Sequence, residues 1–404
     1  MSRTNTGNRR IYLAGAGMGM GDTLTAEVSR LIQESSCLIG AARLVKPYLD
    51  LGKEIVAAYK PEDIRNYIDS HEELGQITVL LSGDSGFYSG AKNLLAALAG
   101  FDVTVLPGIS SVSYFAAKIQ QSWEDAALLS MHGISQNFID TVVHRKKTFV
   151  LFGSREQAEE VCEKLRYYGL SHLIFHIGKN LSGPEETVVS RKASELTPED
   201  LEGLCIACVV NEETKERHIH LRDEEFLRGE VPMTKEEIRL VSIGKLGLSK
   251  NDVVYDVGAG TGSVSVEMAL QIPGGRVFAV EKNPEGIGLI RANKKKFYAD
   301  NLRVVEGTAP EALSELPKPT HVFIGGSSGN LREIVDCVRR KNPEVKIVMN
   351  LITLENLSTV CQMAQEGILK EEHLEITQIA ASRSRKLGAY HMMTGLNPIY
   401  IVTC

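Results

Sequence analysis

The sequence predicts an α/β protein of two domains, each built around a largely parallel sheet. Three observations predict this fold class. Strand-like apolar segments run into glycine-rich turns at Ile11–Gly19 and again at Val253–Gly262, more than two hundred residues later. Each turn is followed by alternating strand-like and helix-like segments, the pattern of parallel strands joined by helices. The 404 residues also exceed the usual length of one domain and suffice for two or three.

Composition and charge narrow the class of protein. The chain is 43% hydrophobic and 24% charged, as soluble globular proteins are. Its net charge of -6 lacks the basic excess of a general nucleic-acid binder. We expect no membrane span and no secretory signal, because the sequence has no run of about 18 apolar residues and its first ten residues include no apolar stretch. A cytoplasmic protein without nucleic-acid or membrane partners is therefore expected.

The seven cysteines are odd in number and scattered, which favours a reducing cytoplasm over a disulfide framework. Cys205 and Cys208 form a C-x-x-C pair, but they lie in the apolar run 204–210. No second pair at zinc spacing accompanies them. We interpret them as part of a buried strand and predict no metal site.

The segment 211–228 is dense in charged residues. It follows a strand predicted over Cys205–Val210 and precedes Pro232, so we interpret it as belonging to a linker. The predicted division is a first domain over 10–212, a linker over 213–230 and a second domain over 231–404. The alternative is that the segment is a solvated, charged face of one domain.

The second glycine turn has the features of a cofactor-binding turn. Glycines after a first strand let the backbone approach a ligand, and the following helix presents free N–H groups to it. A dinucleotide site needs G-x-G-x-x-G, whereas Gly258, Gly260 and Gly262 give G-x-G-x-G. The next predicted strand, 276–280, ends at Glu281, where an acid can accept hydrogen bonds from ribose hydroxyls.

This arrangement resembles the first two motifs of the class I S-adenosylmethionine methyltransferases, over about 233–404. By that resemblance, the glycine turn passes the methionine part of the cofactor, Glu281 holds the ribose, and residues 307–309 lie near the adenine. The implied cofactor contacts are Gly258, Ala259, Gly260, Thr261, Gly262, Glu281, Gly307 and Ala309. A merely solvated strand end is the alternative interpretation of Glu281.

The turn after the fourth predicted strand of this half, His321–Ile324, is rich in small residues, 325–329. Methyltransferases that act on amino groups carry Asn/Asp-Pro-Pro-Tyr/Phe there, and that motif is absent. The similar segment Asn397–Tyr400 lies in the final strand, out of order. A small-residue turn leaves room for a bulky substrate, so Gly326 and Ser327 are predicted to contact it.

The first half carries two further strand–turn–helix segments, Leu80–Tyr88 and Val105–Val112. Turns of glycine and serine bring backbone amides near a ligand without obstruction by side chains. In this order they resemble the tetrapyrrole methylase family, over about 10–210, a separate fold in which two α/β subdomains bind S-adenosylmethionine between them. The resemblance assigns cofactor contacts to Gly83, Asp84, Gly86, Phe87, Ser110 and Ser111, and matches Gly15, Gly17 and Asp22 imperfectly to the family's opening turn.

A chain that carries both domains in this order resembles the bifunctional, decarboxylating methyltransferases of cobalamin biosynthesis. The resemblance implies methylation of a precorrin-6B-type macrocycle at C5 by the first domain, and at C15 by the second, with loss of carbon dioxide from the C12 acetate. It also implies a homo-oligomer. No general base is predicted, because the acceptor carbon belongs to an electron-rich ring and orientation alone supplies roughly 7–11 kcal/mol.

Three further predictions concern side chains. Thr234 matches a cofactor contact in the same resemblance and, read alone, is the N-cap of a capping box with Glu237. Arg383 and Arg385 are predicted to hold substrate carboxylates, with a solvated basic loop as the alternative. Tyr390 and His391 are secondary candidates for proton transfer, and His132 and His144 are interpreted as structural.

Two other functions stay open from the sequence. One is an RNA or protein methyltransferase fused to an accessory domain, which the acidic balance and the missing amino-methyltransferase motif disfavour. The other is that one half only docks to or regulates the other. The Gly-Met-Gly-Met-Gly run of the first turn motivates that reading for the N-terminal half.

Overall fold

The structure, a computed structural model, describes residues 9–19, 21–131 and 137–404. The described residues form two compact units. One comprises 9–19, 21–131, 145–166 and 170–212, and the other comprises 137–144, 167–169 and 213–404. Within the described residues, no helix has the length and apolar character needed to cross a membrane.

The first unit begins with a five-stranded sheet of order β3-β2-β4-β1-β5, in which all neighbouring strands are parallel. The elements are β1 (Arg10–Gly15), α1 (Ala26–Glu34), β2 (Cys37–Gly40), α2 (Ala42–Val45), β3 (Glu54–Ala57), α3 (Pro61–Ser70), β4 (Gln76–Leu81), α4 (Ala91–Ala97) and β5 (Asp102–Leu106). Apolar side chains cover both faces of this sheet, since Ile11 and Leu13 pack in one cluster and Ala14 packs in another. A parallel sheet needs such cover on both faces.

A second five-stranded sheet of order β6-β7-β10-β8-β9 completes the first unit. The elements from α5 onward are α5 (Ser111–Lys118), β6 (Ala127–Ser130), α6 (Phe138–His144), β7 (Lys147–Phe152), α7 (Arg155–Tyr168), β8 (Ile174–Lys179), β9 (Thr187–Lys192), α8 (Pro198–Leu201) and β10 (Cys205–Val210). Of these, α6 and the last two residues of α7 belong to the other unit. Only β6 and β7 pair in parallel. The expectation of a largely parallel sheet is wrong here, because the short connection 180–186 turns β8 back into an antiparallel partner.

Strand β10 matches its predicted bounds, Cys205–Val210, and both Cys205 and Cys208 are buried in it with free thiols. Burial raises the pKa of each of these thiols to about 12. The interpretation of this pair as part of a buried strand is therefore confirmed. Among the described residues, no group of three or more His, Cys, Asp or Glu side chains is placed to hold a metal ion.

The second unit holds a seven-stranded sheet of order β13-β12-β11-β14-β15-β19-β16, with β19 antiparallel to both neighbours. Its elements are α9 (Glu236–Leu246), β11 (Val253–Val257), α10 (Ser263–Gln271), β12 (Arg276–Glu281), α11 (Pro284–Lys296), β13 (Leu302–Glu306), β14 (His321–Ile324), α12 (Leu331–Lys341), β15 (Lys346–Leu351), α13 (Leu354–Gln365), β16 (Glu375–Ile379) and β19 (Ile399–Thr403). A separate hairpin consists of β17 (Ser382–Leu387) and β18 (Tyr390–Gly395). The strand order reverses direction between β11 and β14, and ligands bind in the crevice beyond the strand ends at such a point.

The predicted linker contributes buried side chains to the second unit. Leu221 and Phe226 pack in the core cluster that also holds residues of α9 and α10, and Asp223 is buried. We call residues 221–235 the strap. The domain boundaries given above remain a prediction.

Candidate active sites

A cavity of about 620 Å³ lies beyond the carboxyl ends of β11, β12 and β14. Its volume is within the range of small-molecule sites. It brings together most of the residues that the sequence assigned to this half. The predicted residues that line it are Thr234, Gly258, Ala259, Gly260, Glu281, Gly307, Ala309, Gly326 and Ser327. We call it the C-terminal pocket.

The glycine turn after β11 lies directly against the turn after β14. Gly258 has a φ of 71°, and a Cβ there would lie 2.5 Å from the carbonyl oxygen of Gly326. Only glycine avoids both the left-handed strain and the collision. Thr261 and Gly262, by contrast, are buried where the turn enters α10 and are not part of the pocket wall.

Glu281 sits at the tip of β12 with its carboxylate fixed by backbone amides. Oε2 accepts a hydrogen bond from the N–H of Gly260 at 2.8 Å. Oε1 accepts from Lys282 N at 2.9 Å and from Asn283 N at 2.8 Å. The residue is 9% exposed and lines the pocket, so it is not a merely solvated strand end. Its carboxylate holds the glycine turn in place and keeps lone pairs for hydroxyl donors.

Asp256 lies one layer deeper, in β11, and is fully buried. One carboxylate oxygen accepts a hydrogen bond from the Ser265 hydroxyl, and the other has no partner among the described residues. Burial, reinforced by the nearby negative charge of Glu281, raises the pKa of Asp256 to about 7. The residue supports the turn and does not line the pocket.

The end of the strap forms one wall of the C-terminal pocket, through residues 231–235. The predicted capping box at Thr234 is wrong. Lys235 is the N-cap of α9 without a side-chain cap, and the carboxylate of Glu237 is bound elsewhere, by Arg383. Thr234 nevertheless lies in the pocket wall, where the resemblance placed it.

The predicted substrate arginines do not line this pocket. Arg383 donates from Nε and Nη2 to the two carboxylate oxygens of Glu237, at 2.7 and 2.6 Å, and from Nη1 to Asp223 at 2.9 Å. Because its guanidinium is already paired with two carboxylates, the structure does not favour the substrate role of Arg383, which stays a prediction. Arg385 is exposed on β17, which is a strand of a hairpin and not a basic loop. Tyr390 and His391 lie exposed on β18, also outside the pocket.

Sequence reasoning missed several polar residues of the C-terminal pocket. Lys282, Thr308, Asn350 and Asn397 all line it. Each lies at or just beyond a strand end, or just before β19, so strand-end position was the signal that could have found them. Asn397, set aside as out of order, reaches the pocket because β19 runs antiparallel to its neighbour β15.

A second cavity, of about 310 Å³, lies within the first unit, and we call it the N-terminal pocket. Gly83, Phe87 and Ser111, three of the predicted cofactor contacts, line it, and so does Gly17 of the imperfectly matched opening turn. Gly17 and Gly83 exchange backbone hydrogen bonds at 3.2 and 2.6 Å. A Cβ at Gly108 would lie 2.4 Å from Gly83 O and 2.5 Å from Gly15 O. The three predicted turns of this half therefore meet at one place.

Three of the predicted cofactor contacts in this half do not line the N-terminal pocket. Asp84 accepts the N–H of Gly86 at 2.8 Å with one oxygen and the N–H of Gly108 at 2.9 Å with the other. Ser110 is the N-cap of α5 and accepts the N–H of Ser113. Neither they nor Gly86 line the pocket, and Asp22 lies exposed in a short helical turn. The hydrogen bonds of Asp84 and Ser110 stabilise the turns.

Arg43 is the functional candidate that the sequence did not reveal in this half. Among the described residues that line the N-terminal pocket, it is the one with a charged side chain. Its Nη2 donates to Ser82 Oγ at 2.7 Å, next to Gly83. A single arginine at the end of a short helix has no sequence pattern, so only its position identifies it. His144 lines neither pocket, and His132 lies outside the described residues.

Two family models match this chain, one in each half. Residues 10–197 match the family model for tetrapyrrole (corrin/porphyrin) methylases, and residues 225–404 match that for the precorrin methyltransferase domain. A probable cobalt-precorrin-6B C(15)-methyltransferase (decarboxylating) of Pyrobaculum calidifontis is 44% identical over 184 residues, which are 45% of this chain and 93% of the relative. The chain belongs to the decarboxylating precorrin methyltransferase family.

Two further proteins are similar to this chain. Precorrin-6Y C(5,15)-methyltransferase [decarboxylating] of a Sinorhizobium species is 25% identical over 399 residues, covering 95% of this chain and 92% of the relative. A crystal structure of a precorrin-6Y C5,15-methyltransferase from Geobacter metallireducens is 40% identical, with a TM-score of 0.42, and the match covers 45% of this chain and 96% of that one. The match to the Pyrobaculum relative confirms the predicted family, and the two family models together with the observed sheets confirm the predicted α/β fold class.

Proposed function

We propose that this chain methylates a precorrin-6B-type macrocycle at C5 and C15, using S-adenosylmethionine, and removes carbon dioxide from the C12 acetate. The observation that carries the proposal is the full-length match to a bifunctional relative, over 95% of the chain, together with one pocket in each unit. The first unit is assigned the C5 step, and the second unit the C15 step and the decarboxylation.

The residues of the C-terminal pocket fit S-adenosylmethionine. Gly258 and Gly260 present bare backbone to the pocket, at positions where a Cβ would collide with the carbonyl oxygens of Gly326 and Pro232. The Glu281 carboxylate is placed to accept hydrogen bonds from ribose hydroxyls. Ala309 adds an apolar surface suited to the adenine. When bound, the cofactor supplies the methyl group that a nucleophilic ring carbon takes up.

In the N-terminal pocket, Gly17, Gly83 and Ser111 line a cradle of backbone and small side chains. Arg43 supplies a positive charge to a wall that is otherwise neutral among the described residues. A guanidinium pairs well with a carboxylate, which both the macrocycle and the methionine part of the cofactor carry. We assign Arg43 to such a carboxylate.

Four neutral polar side chains line the C-terminal pocket together with the charged Lys235, Glu281 and Lys282: Ser327, Ser328, Asn350 and Asn397. We assign the acetate to the neutral side chains, because a cation would stabilise its carboxylate before it reacts and would lose that contact as the charge moves into the ring. The conjugated macrocycle accepts the electron pair that carbon dioxide leaves behind, and a proton from water completes the new methyl group.

Product mass after incubation tests the proposal. The purified chain receives S-adenosylmethionine and the reduced precorrin-6 macrocycle, once with and once without cobalt. A gain of two methyl groups with loss of one carbon dioxide is expected, and the cobalt arm identifies the form of the substrate. No change in mass, with cofactor binding intact, would overturn the assigned substrate. The homo-oligomer implied by the resemblance remains a prediction, and the mass of the chain in solution tests it.

A further inference from the structure

The strap is held in place by buried charges. Arg239 is 0% exposed and donates to Asp223 Oδ1 at 3.0 Å, to Glu267 Oε1 at 2.6 Å, and to the carbonyl oxygens of Leu221 and Thr234 at 2.5 and 2.8 Å. Thr234 belongs to the pocket wall. One buried guanidinium therefore fixes both ends of the strap.

Arg383 extends this network to the surface. The second carboxylate oxygen of Asp223 accepts a hydrogen bond from Arg383. Arg383 also donates two parallel hydrogen bonds to Glu237 in the first turn of α9. Burial raises the pKa of Asp223, but the hydrogen bonds from Arg239 and Arg383 outweigh it, so that the pKa lies below its ordinary value. The carboxylate thus stays charged and keeps both arginines.

The strap in turn touches the glycine turn. A Cβ at Gly260 would lie 2.8 Å from the carbonyl oxygen of Pro232. The buried Asn293 side chain binds both the N–H and the C=O of Leu227 and also the carbonyl oxygen of Thr261. A shift of the strap would therefore move the wall against which the cofactor cradle is set.

We propose that Arg383 is a positioning residue for cofactor binding in the C-terminal pocket. It links the exposed hairpin β17–β18 to the strap, and so to the pocket wall 231–235, without touching either reactant. The proposal rests on the methyltransferase function proposed above. It replaces the substrate role that the sequence suggested for Arg383.

The test compares Arg383→Gln, Arg383→Lys and Arg303→Gln in the full chain. Arg303 is an exposed arginine of β13 in the same unit. Its side chain makes no hydrogen bond or ion pair with a described residue and does not line the pocket, so it is the matched control. The readouts are KM and kcat of carbon dioxide release, with C5 methylation as the internal reference, and calorimetric titration with S-adenosylhomocysteine.

For Arg383→Gln, KM for S-adenosylmethionine is expected to rise about 2- to 30-fold in the C15 step, with kcat within about twofold. Arg383→Lys keeps the charge but loses the paired geometry, so its KM should lie between those of the wild type and Arg383→Gln. The kinetic constants of Arg303→Gln, and those of the C5 step in every variant, should equal the wild-type values. A raised KM for the macrocycle with unchanged cofactor affinity would restore the substrate role. Unchanged kinetics with a lower melting temperature would reduce Arg383 to a structural residue. If the wild type binds S-adenosylhomocysteine but releases no carbon dioxide, the proposed function fails, and the titration still tests Arg383.

Discussion

Glu281 shows how much of the C-terminal site depends on one carboxylate. Its two oxygens accept three backbone N–H groups, including that of Gly260 in the cofactor turn. Replacement by glutamine would place an NH₂ group against backbone donors and weaken any contact with ribose hydroxyls. Hydrogen bonds to charged groups contribute about 1.5–3 kcal/mol.

Glu281→Gln should therefore raise KM for S-adenosylmethionine in the C15 step about 10- to 100-fold, since tenfold corresponds to about 1.4 kcal/mol. The C5 step of the same chain should keep its KM. Glu306→Gln is the matched control, because Glu306 pairs in register with Glu281 at the tip of β13 but does not line the pocket. Equal effects of the two substitutions would contradict the assigned role.

The raised pKa of Asp256 predicts that the stability of the fold depends on pH. Its pKa is about 7 in the folded chain against an ordinary value of 3.8, mainly because of burial. Between about pH 4 and 7 the folded state holds a proton that the unfolded state releases, so this group makes stability fall as pH rises through that window. In Asp256→Asn the contribution is absent.

The difference in melting temperature between wild type and Asp256→Asn should therefore shift in favour of the variant from pH 5 to pH 8. Ser265→Ala removes a hydrogen bond that lowers this pKa, so it should extend the fall to higher pH. A difference that is the same at both pH values would show that Asp256 does not titrate in this range.

These residues also show where prediction from sequence stops. Gly258 and Glu281 could be assigned because a glycine turn and a strand end are local patterns. Arg383 could not, because its partners Asp223 and Glu237 lie 160 and 146 residues away in the chain. The ion pair between Arg383 and Glu237 also explains why the predicted capping box does not form. The Glu237 carboxylate binds Arg383 and not the backbone N–H of Thr234.

At the scale of elements, alternating apolar segments located the strands well. His321–Ile324 matches β14, and β12 extends one residue beyond its predicted end. Strand direction in the second sheet of the first unit was wrong, because the apolar pattern of a buried strand does not encode whether its neighbour runs parallel. The length of the connection indicates strand direction, because a segment as short as 180–186 can join only antiparallel neighbours.

The turn between β11 and α10 gives a prediction at this scale. Gly258→Ala adds a Cβ against the carbonyl of Gly326 in a left-handed backbone conformation, which costs about 1–3 kcal/mol. The turn should open, and the C15 step should slow about 10- to 100-fold at low cofactor concentration. Gly288→Ala, in α11 with nothing within 4 Å of the added carbon, should leave activity unchanged and raise the melting temperature. The same activity in both variants would mean that the close approach of the two turns is not needed.

At the scale of the molecule, the described residues that line each pocket all come from one unit. The residues lining the C-terminal pocket all lie between Val231 and Ile399, and those lining the N-terminal pocket between Gly17 and Ile206. If each pocket needs only its own unit, a product released from one can be used by the other pocket of any chain. Two chains with different disabled pockets should then complement each other.

Gly108→Ala and Gly258→Ala provide the two chains, since in each the added Cβ meets backbone atoms within 2.5 Å at the convergence of turns. Each variant alone should form the doubly methylated, decarboxylated product much more slowly than the wild type at low cofactor concentration. An equimolar mixture should form it faster than either variant alone, at a rate that falls with dilution, because the intermediate must pass through solution from one chain to another. The rate of product formation, followed by mass at two dilutions, checks this. If each variant retains its one step but the mixture is no faster than the variants alone, the intermediate passes only within a single chain, and the linkage of the two units has a catalytic purpose.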